Sequence, residues 1–251
     1  MNLSEMFWEA SISELKRGYI QEENYYTCIL CGKKFEKGIV YPVGETFYEA
    51  ERYVRIHIEN VHESVFEYLI NMDKKLTGLT EHQNRLLRLF YQGKSDKEVQ
   101  EEMGIGSTST IRNHRFALKE KERQAKMFLV LMELLEEKDK FAPTFVKPHK
   151  TAKMIDNRYN ITQKENEKLL KKYFPEGIKG PLSTFPLKEK HRLIIIREIA
   201  KRFERDHSYN EKEINEILKS ANDDYVTLRR YLVEYGFLDR KHDGSQYWLK
   251  E

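Results

Sequence analysis

Residues 78–116 read GLTEHQNRLLRLFYQGKSDKEVQEEMGIGSTSTIRNHRF. Thr80-x-x-Gln83 and Ser95-x-x-Glu98 fit the capping box, in which two side chains satisfy free backbone donors at a helix start. Behind the first box Leu86, Leu87, Leu89 and Phe90 repeat at helical spacing, and Gly93 ends the segment. Val99 and Met103 mark the inner face of a second helix. Gly104-Ile105-Gly106 supplies a turn, and a third helix starts near Thr108–Thr110 with Ile111, Arg112, Asn113, His114 and Arg115. Short helices joined by a glycine turn form a helix-turn-helix. The last helix of that arrangement lies in the major groove of duplex DNA. Ser107, Thr108, Ser109, Thr110, Arg112, Asn113, Arg115 and Lys119 are therefore the expected contacts to bases and phosphates. From Thr108 to Lys126 six basic residues (Arg112, Arg115, Lys119, Lys121, Arg123, Lys126) stand against two acidic ones. That excess suits a polyanion; the plainer reading is a solvated face on a helical bundle.

Downstream, nothing stops the third helix before Pro143, so a long central helix is expected through Lys119–Lys140. Leu118, Ala125, Phe128, Met132 and Leu135 fall at a and d spacing, and Met127, Val130, Leu131 and Leu134 add a second stripe. An apolar surface so wide requires cover. A homodimer seam and packing within the chain, against residues 1–20 or 161–174, both meet that requirement.

Upstream, both cysteines of the chain sit in Cys28-Ile-Leu-Cys31, followed by His57-Ile-Glu-Asn-Val-His62. Two thiolates from a tight knuckle and two imidazoles from a helix complete a tetrahedral Zn2+ site with no open position, which points to a structural zinc. Phe35 stands four residues after Cys31, where such knuckles place a core aromatic. Free thiols and surface histidines are the alternative. The segment is similar to a Cys2His2 finger, but 25 residues separate Cys31 from His57, against about 12 in DNA-reading fingers. That spacing, and nine basic against thirteen acidic residues over 1–77, argue against groove reading by this helix. His57-Ile-Glu59 matches one half of the zinc-deaminase signature, but the order is reversed and no proline precedes Cys28.

The C-terminal segment, from FPLKEKHRLIIIREIAKRF to DDYVTLRRYLVEYGFLDRKHDGSQYW, predicts helices at Lys188–Phe203, Glu211–Ser220 and Asp224–Tyr235, then a hairpin over Phe237–Leu249 with Asp243-Gly244 at its tip. That order is a winged helix. Thr227, Arg229, Arg230, Arg240 and Lys241 are a second candidate DNA contact. Fourteen basic against thirteen acidic residues over 186–251 leave a protein-contact role equally open. A shorter hairpin is expected at Ile39–Tyr48.

The resulting fold class is mainly α with small β-hairpins. Its expected parts are an N-terminal helix over 1–21, a zinc-finger-like domain over 22–75, a helix-turn-helix with its extended third helix over 76–140, a linker with a helix over 141–185, and a winged helix over 186–251. Charged residues at 34% and the hydrophobic set at 39% imply small cores and solvated helices. Two cysteines exclude a disulfide scaffold and suit a reducing cytoplasm. No apolar run approaches membrane-helix length, and MNLSEMFWEASISELK lacks the layout of a signal peptide. No nucleophile triad, glycine-rich phosphate loop or spaced acid pair is present, so neither an enzyme nor a small-molecule substrate is expected.

GLTEHQNRLLRLFYQGKSDKEV…GI…IRNH resembles the LuxR/GerE-type DNA-binding domain of bacterial transcriptional regulators. It departs in the turn, where Ile105 and Ile111 stand one residue further apart than usual. FPxKEKxRL…I…I…F with DDYxTLRRYLxEYGFLDRxxDGSxYW closely resembles a C-terminal domain of unknown function that such regulators often carry. The resemblance implies a sequence-specific transcription regulator acting on double-stranded DNA as a homodimer. The competing expectation is a zinc-stapled adaptor that binds another protein and uses the same folds as scaffold.

Overall fold

The computed structural model describes residues 3–250. These form two compact units, one built from residues up to Thr77 together with those from Phe145 onward, the other from Gly78–Thr144. Helices dominate, with three small antiparallel sheets, and no described helix is long and apolar enough to cross a membrane.

The discontinuous unit begins with α1 (Leu3–Glu9) and α2 (Ile12–Arg17), where one N-terminal helix was expected. The break is chemical. Ser11 caps α2 in a complete box with Glu14, and Gly18 ends it at φ +79. Strands β1 (Tyr19–Gln21), β2 (Tyr25–Cys28) and β3 (Lys34–Glu36) form a sheet, followed by a hairpin of β4 (Val40–Val43) and β5 (Thr46–Glu49). Then come α3 (Ala50–His62), α4 (Val65–Ile70) and α5 (Lys74–Thr77). Phe7, Tyr19, Ile29, Leu30, Phe35, Val54 and Ile58 make one core, in which α3 lies on β2 and β3.

The continuous unit holds α6 (Glu81–Tyr91), α7 (Asp96–Met103) and α8 (Thr108–Glu136). Complete capping boxes open α6 at Thr80 and α7 at Ser95, and Gly104 ends α7 in the left-handed conformation. Its core is small: Leu86, Leu89, Val99 and Ile111, with Phe90, Met103 and Ile105 against them.

From Phe145 the chain continues through α9 (Gln163–Tyr173), α10 (Glu189–Ala200), β6 (Ser208–Tyr209), α11 (Glu211–Lys219), α12 (Tyr225–Glu234), β7 (Leu238–Arg240) and β8 (Tyr247–Leu249). The last sheet runs β6-β8-β7. A second, larger core centres on Leu193, Ile195, Ile196 and Ile199 of α10. The stretch read as a linker supplies Val146, Ile161, Tyr173, Phe174 and Leu182 to it, because its apolar residues are interleaved with the prolines and glycines that mark it.

Gly236 ends α12 with its N–H on the Val233 carbonyl, while Phe237 N–H bonds the Leu232 carbonyl. At φ +86, a Cβ here would stand 2.4 Å from the Thr151 carbonyl oxygen. Left-handed backbone costs an L-residue about 1–2 kcal/mol, and the clash falls on backbone that cannot swing away. Gly236→Ala is expected to lower this unit's stability by about 2–3 kcal/mol, measured by urea denaturation; an unchanged midpoint would contradict the packing described.

His149 is buried against Phe237, ring centroids 3.9 Å apart. Its Nε2 is 2.9 Å from the Tyr235 carbonyl and its Nδ1 is 3.3 Å from the Tyr159 hydroxyl. A neutral imidazole protonated at Nε2 donates to the first and accepts from the second. Burial pushes its pKa down to about 3 from an ordinary 6.5. As pH falls, the unfolded chain therefore takes up the proton first. The stabilisation is full above about pH 6.5 and is lost progressively below it, by about 1.4 kcal/mol at pH 5.5. Urea midpoints at pH 7.5 and 5.5 should diverge less in His149→Gln than in the wild type; equal divergence would assign the effect to other groups.

Candidate functional site

Strand β2 delivers Cys28, and the chain turns at once. The Cys28 carbonyl accepts from Gly32 N–H at 2.7 Å, and Cys28 N–H donates to the Lys33 carbonyl at 2.9 Å. Gly32, at φ +83, makes that return and brings Cys31 back beside Cys28. Helix α3 lies on the same sheet and presents His57 from its buried side and His62 from its last turn. One ligand atom from each of Cys28, Cys31, His57 and His62 lies within 4.8 Å of every other, so the four side chains are close enough to hold a metal ion. The Cys31 sulfur is 3.2 Å from His57 Nε2. His62 Nε2 is buried without a hydrogen-bond partner among the described residues, which is costly for a polar nitrogen unless something else satisfies it.

The electrostatics support the same conclusion. The Cys28 thiol and both imidazoles favour a thiolate at Cys31 and push its pKa down. That hydrogen bond and burial hold the proton on Cys28 and push its pKa up. Without a cation the pocket accommodates one thiolate readily and resists a second; a metal ion held there would supply the missing charge. Phe35 walls the site, its ring centroid 5.1 Å from that of His57, and Tyr68 lies edge-on to His62.

A buttress behind the knuckle escaped the sequence reading. Trp8 Nε1 donates to the Pro148 carbonyl at 2.7 Å, and Lys150 N–H donates to the Ser4 hydroxyl at 3.0 Å. The Lys150 ammonium, itself buried, donates to the carbonyls of Leu30 and Ile29 inside the knuckle. Only the pairing of two prolines with HisLys at 149–150 hinted at it, and no periodicity could have placed that stretch against residues more than a hundred positions away.

In the helical unit, Ser107 caps α8 through Thr110 N–H, and Thr108, Ser109, Arg112 and Asn113 are exposed in its first two turns. Arg115 is otherwise engaged. Its guanidinium donates to Asp96 at 2.7 Å and the Lys94 carbonyl at 3.4 Å, and it stacks 3.6 Å from the Phe90 ring centroid. Lys119 pairs with Glu122, and Lys121 donates to the Gly78 carbonyl. Among the described residues, Arg112 and Asn113 have no polar partner.

In the C-terminal segment, Arg229 ties α12 to α11 through Glu211 (2.8 Å) and Asn215 (2.7 Å). The Thr227 N–H is held by the Asp224 carboxylate. Arg230 is exposed on α12, Arg240 is exposed at the end of β7 and Lys241 just after it. Residues 181–249, which contain all of this, match the model of a family described as an uncharacterized protein conserved in bacteria, DUF2087. No curated protein and no solved structure matches the chain. The DUF2087 match coincides with the segment that resembles a domain of unknown function in bacterial regulators; the likeness at residues 78–116 stands on its own residues.

Proposed function

We propose that this chain is a sequence-specific transcriptional regulator that binds double-stranded DNA as a cytoplasmic homodimer, carries one structural zinc per subunit and catalyses no reaction. The observation that carries the reading is the start of α8. Arg112 and Asn113 stand exposed and unpartnered beside Thr108 and Ser109, on a helix that Arg115 braces against α7. Free backbone N–H groups at a helix N-terminus attract phosphate, Asn reads adenine and Arg reads guanine in the major groove. Helices α6 to α8 are read as the helix-turn-helix. Helices α10 to α12 with the β6-β8-β7 sheet are read as a winged helix, in which Arg230, Arg240 and Lys241 offer a second set of phosphate contacts and Arg229 and Thr227 serve chiefly to hold it together.

The metal is read as zinc from its donors. Zn–S bonds of about 2.3 Å and Zn–N bonds of about 2.0 Å hold ligand atoms roughly 3.3–3.8 Å apart in a tetrahedron, within the spread of the four side chains. Two thiolates and two imidazoles leave no position for substrate, which makes the ion structural.

The test is selection of bound fragments from the source genome, then binding of the selected duplex across a salt series. A regulator enriches a discrete sequence and loses affinity log-linearly with salt. Failure to retain any duplex at physiological salt would establish the adaptor reading instead.

A further inference from the structure

Helix α8 carries two features that fit each other and cannot meet within one chain. Its C-terminal half is apolar nearly all round: Met127, Phe128, Leu129, Val130, Leu131, Met132, Leu134 and Leu135 are all exposed, Phe128 and Leu131 by 63% each. A helix of that kind requires neighbours on more than one side. Beside its N-terminal half lies a groove of about 760 Å³ between α6 and α8, floored by Leu87, Phe90, Phe116 and Leu118 and rimmed by Lys119, Lys121 and Arg123, with Glu122 the acidic residue among them. The helix is continuous over 29 residues, about 43 Å at 1.5 Å per residue, so its distal half cannot fold back into its own groove. The segments proposed from sequence as intrachain cover are already used: Phe7 and Tyr19 sit in one core of the other unit, and Ile161, Tyr173 and Phe174 in its second.

Charge selects the occupant and its direction. Residues 112–126 of α8 carry six basic and two acidic side chains, whereas residues 133–139 carry four acidic (Glu133, Glu136, Glu137, Asp139) and one basic. We propose that two copies of this chain pair their α8 helices antiparallel, on a two-fold axis through the apolar run Met127–Met132, so that the acidic end of each helix meets the basic rim of the other's groove. Parallel pairing would set like charge on like along the whole length. The antiparallel pair is isologous: one contact is made twice and the assembly closes. The proposal deepens the homodimer stated above and does not depend on DNA binding.

The test is sedimentation equilibrium of the full zinc-loaded chain without DNA. Wild type should be dimeric at micromolar concentration, and Phe128→Glu with Met132→Glu should be monomeric, with helix content retained by circular dichroism. Arg123→Glu with Lys126→Glu should raise the dimer dissociation constant roughly tenfold, through several weakened ion pairs. Adding Glu133→Lys and Glu136→Lys to that variant should restore it. Restoration is specific to the antiparallel arrangement, since in a parallel pair the combined reversal leaves like charges facing like. A monomeric wild type, or charge reversals that neither weaken nor restore the dimer, overturns the proposal. So does unfolding of the Phe128/Met132 variant, because the stripe would then be core. A monomer that still binds its operator refutes the pairing alone, and a dimer indifferent to DNA refutes the regulator alone.

Discussion

Cys31→Ala or His57→Ala is expected to leave a chain without bound metal whose first core no longer forms. The sheet β1-β2-β3 has three strands of three or four residues each, too little to stand unaided. Its core is drawn together at the knuckle, where Cys28, Ile29, Leu30 and Phe35 are all buried. Structural zinc contributes about 10–16 kcal/mol in isolated fingers, as much as the whole stability of an ordinary domain. Removing one ligand also leaves the remaining thiol and imidazoles buried and unsatisfied. Elemental analysis should find one zinc per wild-type chain and none in the variants, and limited proteolysis should open residues 19–70 in the variants first. A chain purified without chelator that holds no metal and still resists proteolysis would remove zinc from the account.

The second large effect is on DNA. Arg112→Ala and Asn113→Ala should each cost about 1–3 kcal/mol on the selected operator, and the pair roughly 30-fold to about 20,000-fold in affinity, with little loss on random duplex. Lys126→Ala should weaken all sequences alike and flatten the salt dependence. Arg115→Ala should behave differently from both, although the sequence placed Arg115 among the readers. Its bonds to Asp96 and the Lys94 carbonyl and its stacking on Phe90 make it a brace, so its loss should appear first as a lower melting temperature of residues 78–144. The measurements are electrophoretic mobility shifts on operator and scrambled duplex, beside thermal melts. An Arg112/Asn113 double variant with wild-type operator affinity would show that α8 is not the reader.

What was legible in the sequence shares one property: locality. The boxes read at Thr80 and Ser95 both form, because a cap is decided within four residues. The hairpins at 40–49 and 238–249 follow from turn residues at their tips. The Cys/His cluster was readable because its donor types are rare. Strands β1, β2, β3 and β6 were not foreseen: two to four residues are too few for alternation to register, and a partner such as β8 for β6 is supplied only by the fold. The engagement of Arg115 and Arg229 was equally invisible. A basic residue on a helix face looks the same whether its partner is a phosphate or a carboxylate on the neighbouring helix, and only the fold brings Asp96 or Glu211 within reach.

The knuckle and its buttress are far apart in the chain, and synthesis makes them far apart in time. Cys28, Cys31, His57 and His62 are synthesised before residues 78–144, and His149 and Lys150 follow only after that whole segment. At about 5–20 residues per second the delay is several seconds. Throughout it the carbonyls of Ile29 and Leu30 have no ammonium against them, and Trp8 has no Pro148 to meet. A metal ion captured by the four donors would hold the nascent N-terminal segment in shape during that wait, and with the proposed zinc in that role its supply during translation would set the yield of folded protein as well as its final stability.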